Sequence, residues 1–494
     1  MATVASSVRV RPSAELLREL IDLRGQVVSE AEALLASWRP ALDRRAFVPS
    51  AVNLARYIAL RRRDLRGLQE ELMPLGLSSL GRCEARVLEN LDAVIASLGA
   101  IAGTGGAPSM PHPRPQAFYR GNRLLRRHTD AVFGSPASAR QVRIMVTLPT
   151  EAADSYGFVR DLIARGADVL RINCSHDTPE AWSAMAANAR RAGEETGRSC
   201  RLLIDLQGPR ARTGRIAATG DEVRVRVGDH VRLVASKPDR SPDPPQVECS
   251  LREALTGLRP GHEVCIDEGR IRLVAEEVSG VDALLRVTRV ESKGRLRSDK
   301  GLNFPDTPLR VEPLTAKDLA DLDRVADLAD IVGYSFVQRP EDIARLQAEL
   351  RARTSRPFAI AAKIETAEAI QRLPDIIVQG AGSQPFAVMI ARGDLAVEIG
   401  FPRLAEIQEE ILWLCEAAHV PVVWATQVLD TFVRKGTHSR AEMTDAAMAE
   451  RAECVMLNKG PFVLDAVSIL DDVLGRMESH QAKKTSRLRA LRAW

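Results

Sequence analysis

The sequence predicts an α/β chain: a TIM-type (β/α)8 barrel carrying an inserted small β-barrel domain and preceded by an all-helical N-terminal domain. Three observations predict it. From about residue 140 onward, short apolar or β-branched runs alternate with runs of helical period. One interval among them is far too long for a βα loop and itself alternates with period two. The residues before 103 carry apolar side chains only at helical spacing.

The N-terminal reading rests on three helical runs. Residues 13–36 place Leu16, Leu17, Leu20, Ile21, Val28, Ala31 and Leu34 on one side, 52–72 continue the pattern, and 82–101 repeat it through Val87, Leu88, Leu91, Val94, Ile95 and Leu98. No chemistry-bearing cluster appears among them. Residues 1–102 are therefore expected as a helical domain. The Gly/Pro-rich stretch GTGGAPSMPHPRP opens a linker over 103–140. The first residues lack the apolar segment of a secretory signal.

The barrel is expected over 141–213 and 311–480. Its strand candidates are 143–148, 169–174, 201–206, 331–337, 358–365, 386–392, 420–427 and 453–459, with helices at 181–196, 317–329, 340–353 and 403–418 between some of them. Buried parallel strands read as continuous apolar runs, and eight βα units close on themselves as a barrel. Residues 214–310 contain alternating runs at 222–227, 231–235, 272–277 and 283–290, the pattern of a small β domain. Inserted at the catalytic face, it is a candidate lid. Residues 481–494 form a basic tail.

Charge narrows the partners. With 69 basic and 65 acidic residues, the net charge of +4 is too balanced to argue for nucleic acid or a membrane surface. No apolar run reaches membrane-spanning length. The seven cysteines form no CxxC pair, so they read as buried thiols of a reducing, cytoplasmic setting.

Barrel enzymes place their chemistry at the C-terminal ends of the strands. Those ends supply Thr147 and Pro149; Arg171, Asn173, Ser175 and His176; Asp205, Arg210 and Arg212; Lys363 and Glu365; Arg392, Gly393 and Asp394; and Thr426. Glu365 and Asp394, on neighbouring strands, suit Mg²⁺, which takes few protein carboxylates and completes its shell with water and substrate oxygens. Lys363 beside them suits the charge on a transferring phosphoryl group. Arg171 and Arg212 suit phosphate oxygens. The alternative for any one pair is a salt bridge that orders the barrel top.

Motifs in order along 141–472 then resemble the pyruvate kinase family: LRINCSHD (170–177), DLQGPRARTG (205–214), IDEGRI (266–271), SDKGLNFP (298–305), AAKIETAEAI (361–370), MIARGDLAVEI (389–399), WATQVLD (424–430) and SRAEMTD (439–445). The resemblance implies a phosphotransferase acting on phosphoenolpyruvate and ADP with Mg²⁺ or Mn²⁺. It implies Lys363, Thr426 and Arg171 as catalytic residues, and Glu365 and Asp394 as metal ligands. Gly393, Asp394 and Thr426, with Lys363, would hold the substrate. His176, Arg212 and Lys300 would face nucleotide or substrate phosphates. Asn173, Ser175 and Asp205 would form the family's monovalent-cation pocket. Arg210 stands where potassium-requiring relatives have glutamate and others lysine, so K⁺ is not expected to be required. The resemblance leaves a homo-oligomer open.

Departures are visible too. The first-strand loop VTLPTEA (146–152) is one residue shorter than the family pattern, Ala396 replaces a glycine, and MLNKGPF (456–462) replaces a motif bearing Glu and Thr. The family's C-terminal effector domain has no counterpart after 480. Two other readings therefore stay open: a catalytically impaired scaffold of the same family, and a metal-dependent aldolase or lyase acting on pyruvate enolate.

Overall fold

The computed structural model describes residues 11–103, 110–136, 140–218, 223–239, 243–291, 294–309, 311–483 and 485–487. The last part of the expected tail, 488–494, lies outside the described residues. Eight parallel strands close a barrel in chain order: Arg143–Thr147, Val169–Asn173, Arg201–Asp205, Ile331–Tyr334, Ala359–Ile364, Phe386–Ala391, Val422–Ala425 and Cys454–Leu457. The first strand closes the ring, pairing Arg143 with Cys454 on one side and Met145 with Val169 on the other. Each strand lies inside a run expected from the sequence but ends earlier. Glu365, Thr426 and Lys459 fall beyond the ladder, because the polar ends turn out of the sheet toward the site.

Helices cover the outside, and their caps reach the site. Thr315 and Asp318 form a capping box at the start of Ala316–Leu328. The other oxygen of Asp318 accepts from Gly208 N at 3.2 Å, tying this helix to the loop after the third strand. Gly208 has φ +69°, and a Cβ there would sit 2.8 Å from that of Ser335, so both its backbone and its close approach favour glycine.

The interval 214–310 holds most of a seven-stranded sheet. Its order is Leu302–Asn303, Glu263–Ile266, Ile271–Val278, Asp282–Val290, His230–Val234, Gln246–Cys249 and Thr213–Ala217. Val231, Leu233, Val264, Leu273, Leu285 and Phe304 fill its core. The expected run at 222–227 forms no ladder: Arg224 makes one isolated bridge to Arg295, and 219–222 lie outside the described residues.

The N-terminal helices are Ser13–Trp38, Val48–Arg61, Arg66–Leu72 and Val87–Ile101. The expected run 52–72 breaks at 62–65, and the Asp64 side chain accepts from the Arg66 N–H where the next helix begins. These helices pack onto the barrel through one continuous core. Asn53 donates to Ala417 O and Glu84 O at 2.8 and 2.7 Å and accepts from Val87 N at 3.0 Å. His419, 2% exposed, bonds Ser50 and Ala85 through its ring and accepts from His128 through its carbonyl.

The stretch expected as a linker contains a helix, Arg120–Phe133. It buries Leu124, Leu125, His128 and Val132 on one stripe, and Val132 and Phe133 join the residues that fill the barrel interior, including Met145, Leu203, Ile331 and Met389. An open barrel end would leave that interior wet, and two apolar side chains from this helix close it.

Candidate active site

The C-terminal ends of the first five strands converge on a buried charge cluster. Arg171 Nε donates to Asp205 Oδ2 at 3.0 Å, and its Nη1 donates to Thr147 Oγ1 at 3.0 Å. Lys363 Nζ lies 3.4 Å from Asp205 Oδ2 and 3.1 Å from Glu365 Oε1, and donates to Ser335 Oγ at 2.8 Å. Phe336 N donates to Glu365 Oε2 at 2.6 Å. Asp205 is 1% exposed and Glu365 2%. Gly333 makes room for this packing: a Cβ there would meet Asp205 Oδ1 at 2.5 Å.

Electrostatics follow from the contacts. Burial works against the Lys363 ammonium, but the Asp205 and Glu365 carboxylates outweigh it and hold its pKa above the ordinary lysine value. Burial likewise opposes ionisation of Asp205, yet Lys363 and Arg171 pull it below the ordinary carboxylate value. Glu365 goes the other way. Burial raises it, Lys363 only partly offsets this, and the charge of Asp394 raises it further.

Asp394 opens the helix Arg392–Ile399. Arg210 Nη2 donates to its Oδ1 at 2.7 Å, and Asn303 Nδ2 lies 3.5 Å from the same oxygen. Arg392 fixes the turn from behind, gripping Asp445 with two bonds of 2.6 and 2.9 Å and stacking over Trp424. Gly393 N donates to Thr426 Oγ1 at 2.9 Å, and Thr426 sits in the left-handed region at φ +66°. Strain of this kind is stored where a site demands a fixed direction.

These groups surround a cavity of about 280 Å³ between barrel and inserted sheet. Of the residues singled out in the sequence, Arg171, Asn173, Ser175, His176, Arg210, Arg212, Lys300, Lys363 and Glu365 line it. Asp205, Gly393, Asp394 and Thr426 do not line it; Asp205 is bonded to Arg171 and Asp394 to Arg210, both of which do. Arg212 and Lys300 each carry an acidic partner from the inserted sheet: Asp299 and Asp267, both at 3.2 Å. His176 is held below its ordinary pKa by partial burial and by the charges of Lys459 and Arg212. Asn173 Oδ1 accepts from Ser175 N at 3.0 Å.

Sequence reading missed Ser335, Asp267, Glu268 and Asp299. The last three sit at positive φ, at +55°, +59° and +60°, and their motifs IDEGRI and SDKGLNFP carry the signal in hindsight. Ser335 has no such signal; only folding brings it to Lys363.

The metal question turns on Glu365 and Asp394. Among the described residues no group of three or more His, Cys, Asp or Glu side chains could hold a metal ion. Glu365, whose ionisation the Asp394 charge opposes, and Asp394 itself are hard oxygen donors of the kind taken by a divalent cation that draws its remaining ligands from substrate and water.

The family model for the pyruvate kinase barrel domain matches residues 139–462. A protein named pyruvate kinase from Methylorubrum extorquens is 35% identical over 348 residues, 69% of each chain. The chain belongs to the pyruvate kinase family. Further pyruvate kinases point the same way: one from Agrobacterium vitis is 33% identical over 359 residues, covering 70% of this chain and 71% of its own, and one from Corynebacterium efficiens is 32% identical over 328 residues, 65% of each. In pyruvate kinase terms, the match spans the barrel and the inserted sheet together, the two parts that enclose the cavity. No helix among the described residues is long and apolar enough to cross a membrane.

Proposed function

We propose that this pyruvate kinase family member is an active phosphotransferase, moving a phosphoryl group between phosphoenolpyruvate and ADP to give pyruvate and ATP. The observation that carries it is the position of Lys363: its ammonium is fixed between Asp205 and Glu365 and stays charged facing a cavity ringed by Arg171, Arg212 and Lys300.

In this reading Lys363 stabilises the negative charge of the moving phosphoryl group, with no reorganisation needed at the moment of transfer. Arg171, already held by Asp205 and Thr147, turns its remaining donor surface to the same oxygens. Glu365 and Asp394 would hold the divalent ion, Mg²⁺ or Mn²⁺, whose chemistry there would be to offset charge on the substrate oxygens. Gly393 and Thr426 orient the pyruvate carboxylate, and Thr426 lies beside the carbon that takes a proton as the enolate becomes pyruvate. His176, Arg212 and Lys300 meet the nucleotide phosphates, Arg212 and Lys300 exchanging their acidic partners Asp299 and Asp267 for phosphate oxygens. The inserted sheet serves as the lid.

The monovalent-cation pocket of Asn173, Ser175 and Asp205 needs no K⁺ in this reading. Asp205 Oδ2 already has two cationic partners in Arg171 and Lys363, and Arg210 adds a permanent charge to the same cavity. The free cysteines suit a reducing, cytoplasmic setting. The test is pyruvate formation from phosphoenolpyruvate and ADP, coupled to lactate dehydrogenase. An impaired scaffold forms none, and an enolate aldolase or lyase forms none that depends on ADP.

A further inference from the structure

Asp394, proposed above as a metal ligand, already holds a cation. Arg210 Nη2 donates to its Oδ1 at 2.7 Å, and Asn303 Nδ2 lies 3.5 Å from the same oxygen. Both donors stand where the inserted sheet joins the barrel. Arg210 is on the outgoing segment and Asn303 on the returning one, and Leu302 N donates to Ala211 O at 2.9 Å between them. The guanidinium lies against Gly301, where a Cβ would come within 3.0 Å of Nη2 and 3.3 Å of Nε.

Lys363 also feels the charge of Asp394, but that ammonium is fixed by Asp205, Glu365 and Ser335. Arg210 is held less firmly. Its Nε has no hydrogen-bond partner among the described residues, and its side chain is 28% exposed on the wall of the active cavity. Of the two cations, Arg210 is the one free to swing away. A group bonded to a metal-binding carboxylate changes metal affinity by about 10–100-fold when it is replaced. A neutral donor helps the ion by orienting the oxygen. A permanent cation opposes it, because even an ion on the other oxygen meets the guanidinium charge at short range.

We infer that Arg210 competes with the divalent ion for Asp394 and so sets the ion concentration at which the metal site fills. The ion binds well only as the guanidinium leaves Oδ1 and turns into the cavity. That departure also unties the stem of the inserted sheet from the helix Arg392–Ile399. The inference rests on the metal reading of Asp394 given above, and the experiment separates the two.

The test is Mn²⁺ binding to the full chain without substrate, read from the electron paramagnetic resonance signal of the free ion. Arg210→Met should bind Mn²⁺ about tenfold more tightly than the wild type, or better. Arg210→Lys, which keeps the charge, should stay near the wild type. In an Asp394→Asn background, Arg210→Met should bring no gain. Affinity in Arg210→Met equal to or weaker than that of the wild type overturns the inference. So does an equal gain in Arg210→Lys, or the same gain in the Asp394→Asn background. Arg210→Gln repeats the measurement if the methionine variant does not fold. If Asp394→Asn alone leaves Mn²⁺ affinity unchanged, the metal reading of Asp394 falls and this inference with it. If Asp394→Asn weakens binding and Arg210→Met does not tighten it, the inference alone falls.

Discussion

Arg210 and Asp394, far apart in the chain and on different elements, are joined by a 2.7 Å hydrogen bond from Nη2 to Oδ1. The contact puts a permanent cation against the carboxylate assigned to the metal, in the cavity that Asn173 and Ser175 also line. The pair is only partly exposed, at 28% and 14% for the two side chains, so solvent does not fully screen it.

Turnover should therefore persist when potassium salts are replaced by tetramethylammonium salts. Arg210→Glu should become K⁺-dependent, because a carboxylate beside Asp394 needs an outside cation. Wild-type activity that collapses in tetramethylammonium and returns with K⁺ alone would show that Arg210 is not acting as the internal cation.

Glu365→Gln and Asp394→Asn should each weaken Mn²⁺ binding, read by electron paramagnetic resonance without any substrate, and raise the metal concentration needed for turnover. Each removes one of the two carboxylates proposed as ligands for a hard ion. Unchanged Mn²⁺ affinity in both variants would remove the metal assignment.

Asn53→Leu should destabilise the chain by about 2–3 kcal/mol, since it leaves the buried carbonyls of Glu84 and Ala417 and the N–H of Val87 without their partner. Urea denaturation followed by tryptophan fluorescence measures it. A change near zero would mean that the helical domain is not seated on the barrel through this residue.

Glu450 supplies a pH test. Its carboxyl is buried, and burial pushes its pKa up to about 7, with Gln481, Lys483 and Arg487 offsetting this in part and Glu478 adding to it. A raised folded pKa means the folded state holds the proton more tightly. The stabilisation is complete below about 4.5 and is lost as pH rises through about 7. Glu450→Gln keeps the protonated shape at every pH. Its melting temperature should gain on the wild type between pH 5 and pH 8, and a constant difference across that range would contradict the assignment.

The barrel was legible because buried parallel strands are apolar throughout, so Val169–Asn173 and Phe386–Ala391 stand out as runs. The strand ends were legible because charge there has no structural excuse. Arg120–Phe133 was not. A Gly/Pro-rich lead-in and five basic residues, Arg120, Arg123, Arg126, Arg127 and His128, mask its apolar stripe, and only the open barrel end explains what Val132 and Phe133 are for. Ser335 and the Arg210–Asp394 contact were hidden for another reason: each depends on how strands sit side by side, which no local pattern records. The resemblance supplied roles; the geometry supplied which charges meet.

Lys363, held between Asp205 and Glu365, is the proposed phosphoryl-transfer lysine, and the decisive measurement is pyruvate formation from phosphoenolpyruvate and ADP by purified wild type and Lys363→Met. ADP- and metal-dependent turnover is expected in the wild type, with a loss of at least ~10²–10³-fold in Lys363→Met, the range for removing one preorganised charge-stabilising group, and with both proteins folded by circular dichroism. Near-normal turnover in the folded variant, or none in the wild type with Mg²⁺ present, would contradict it.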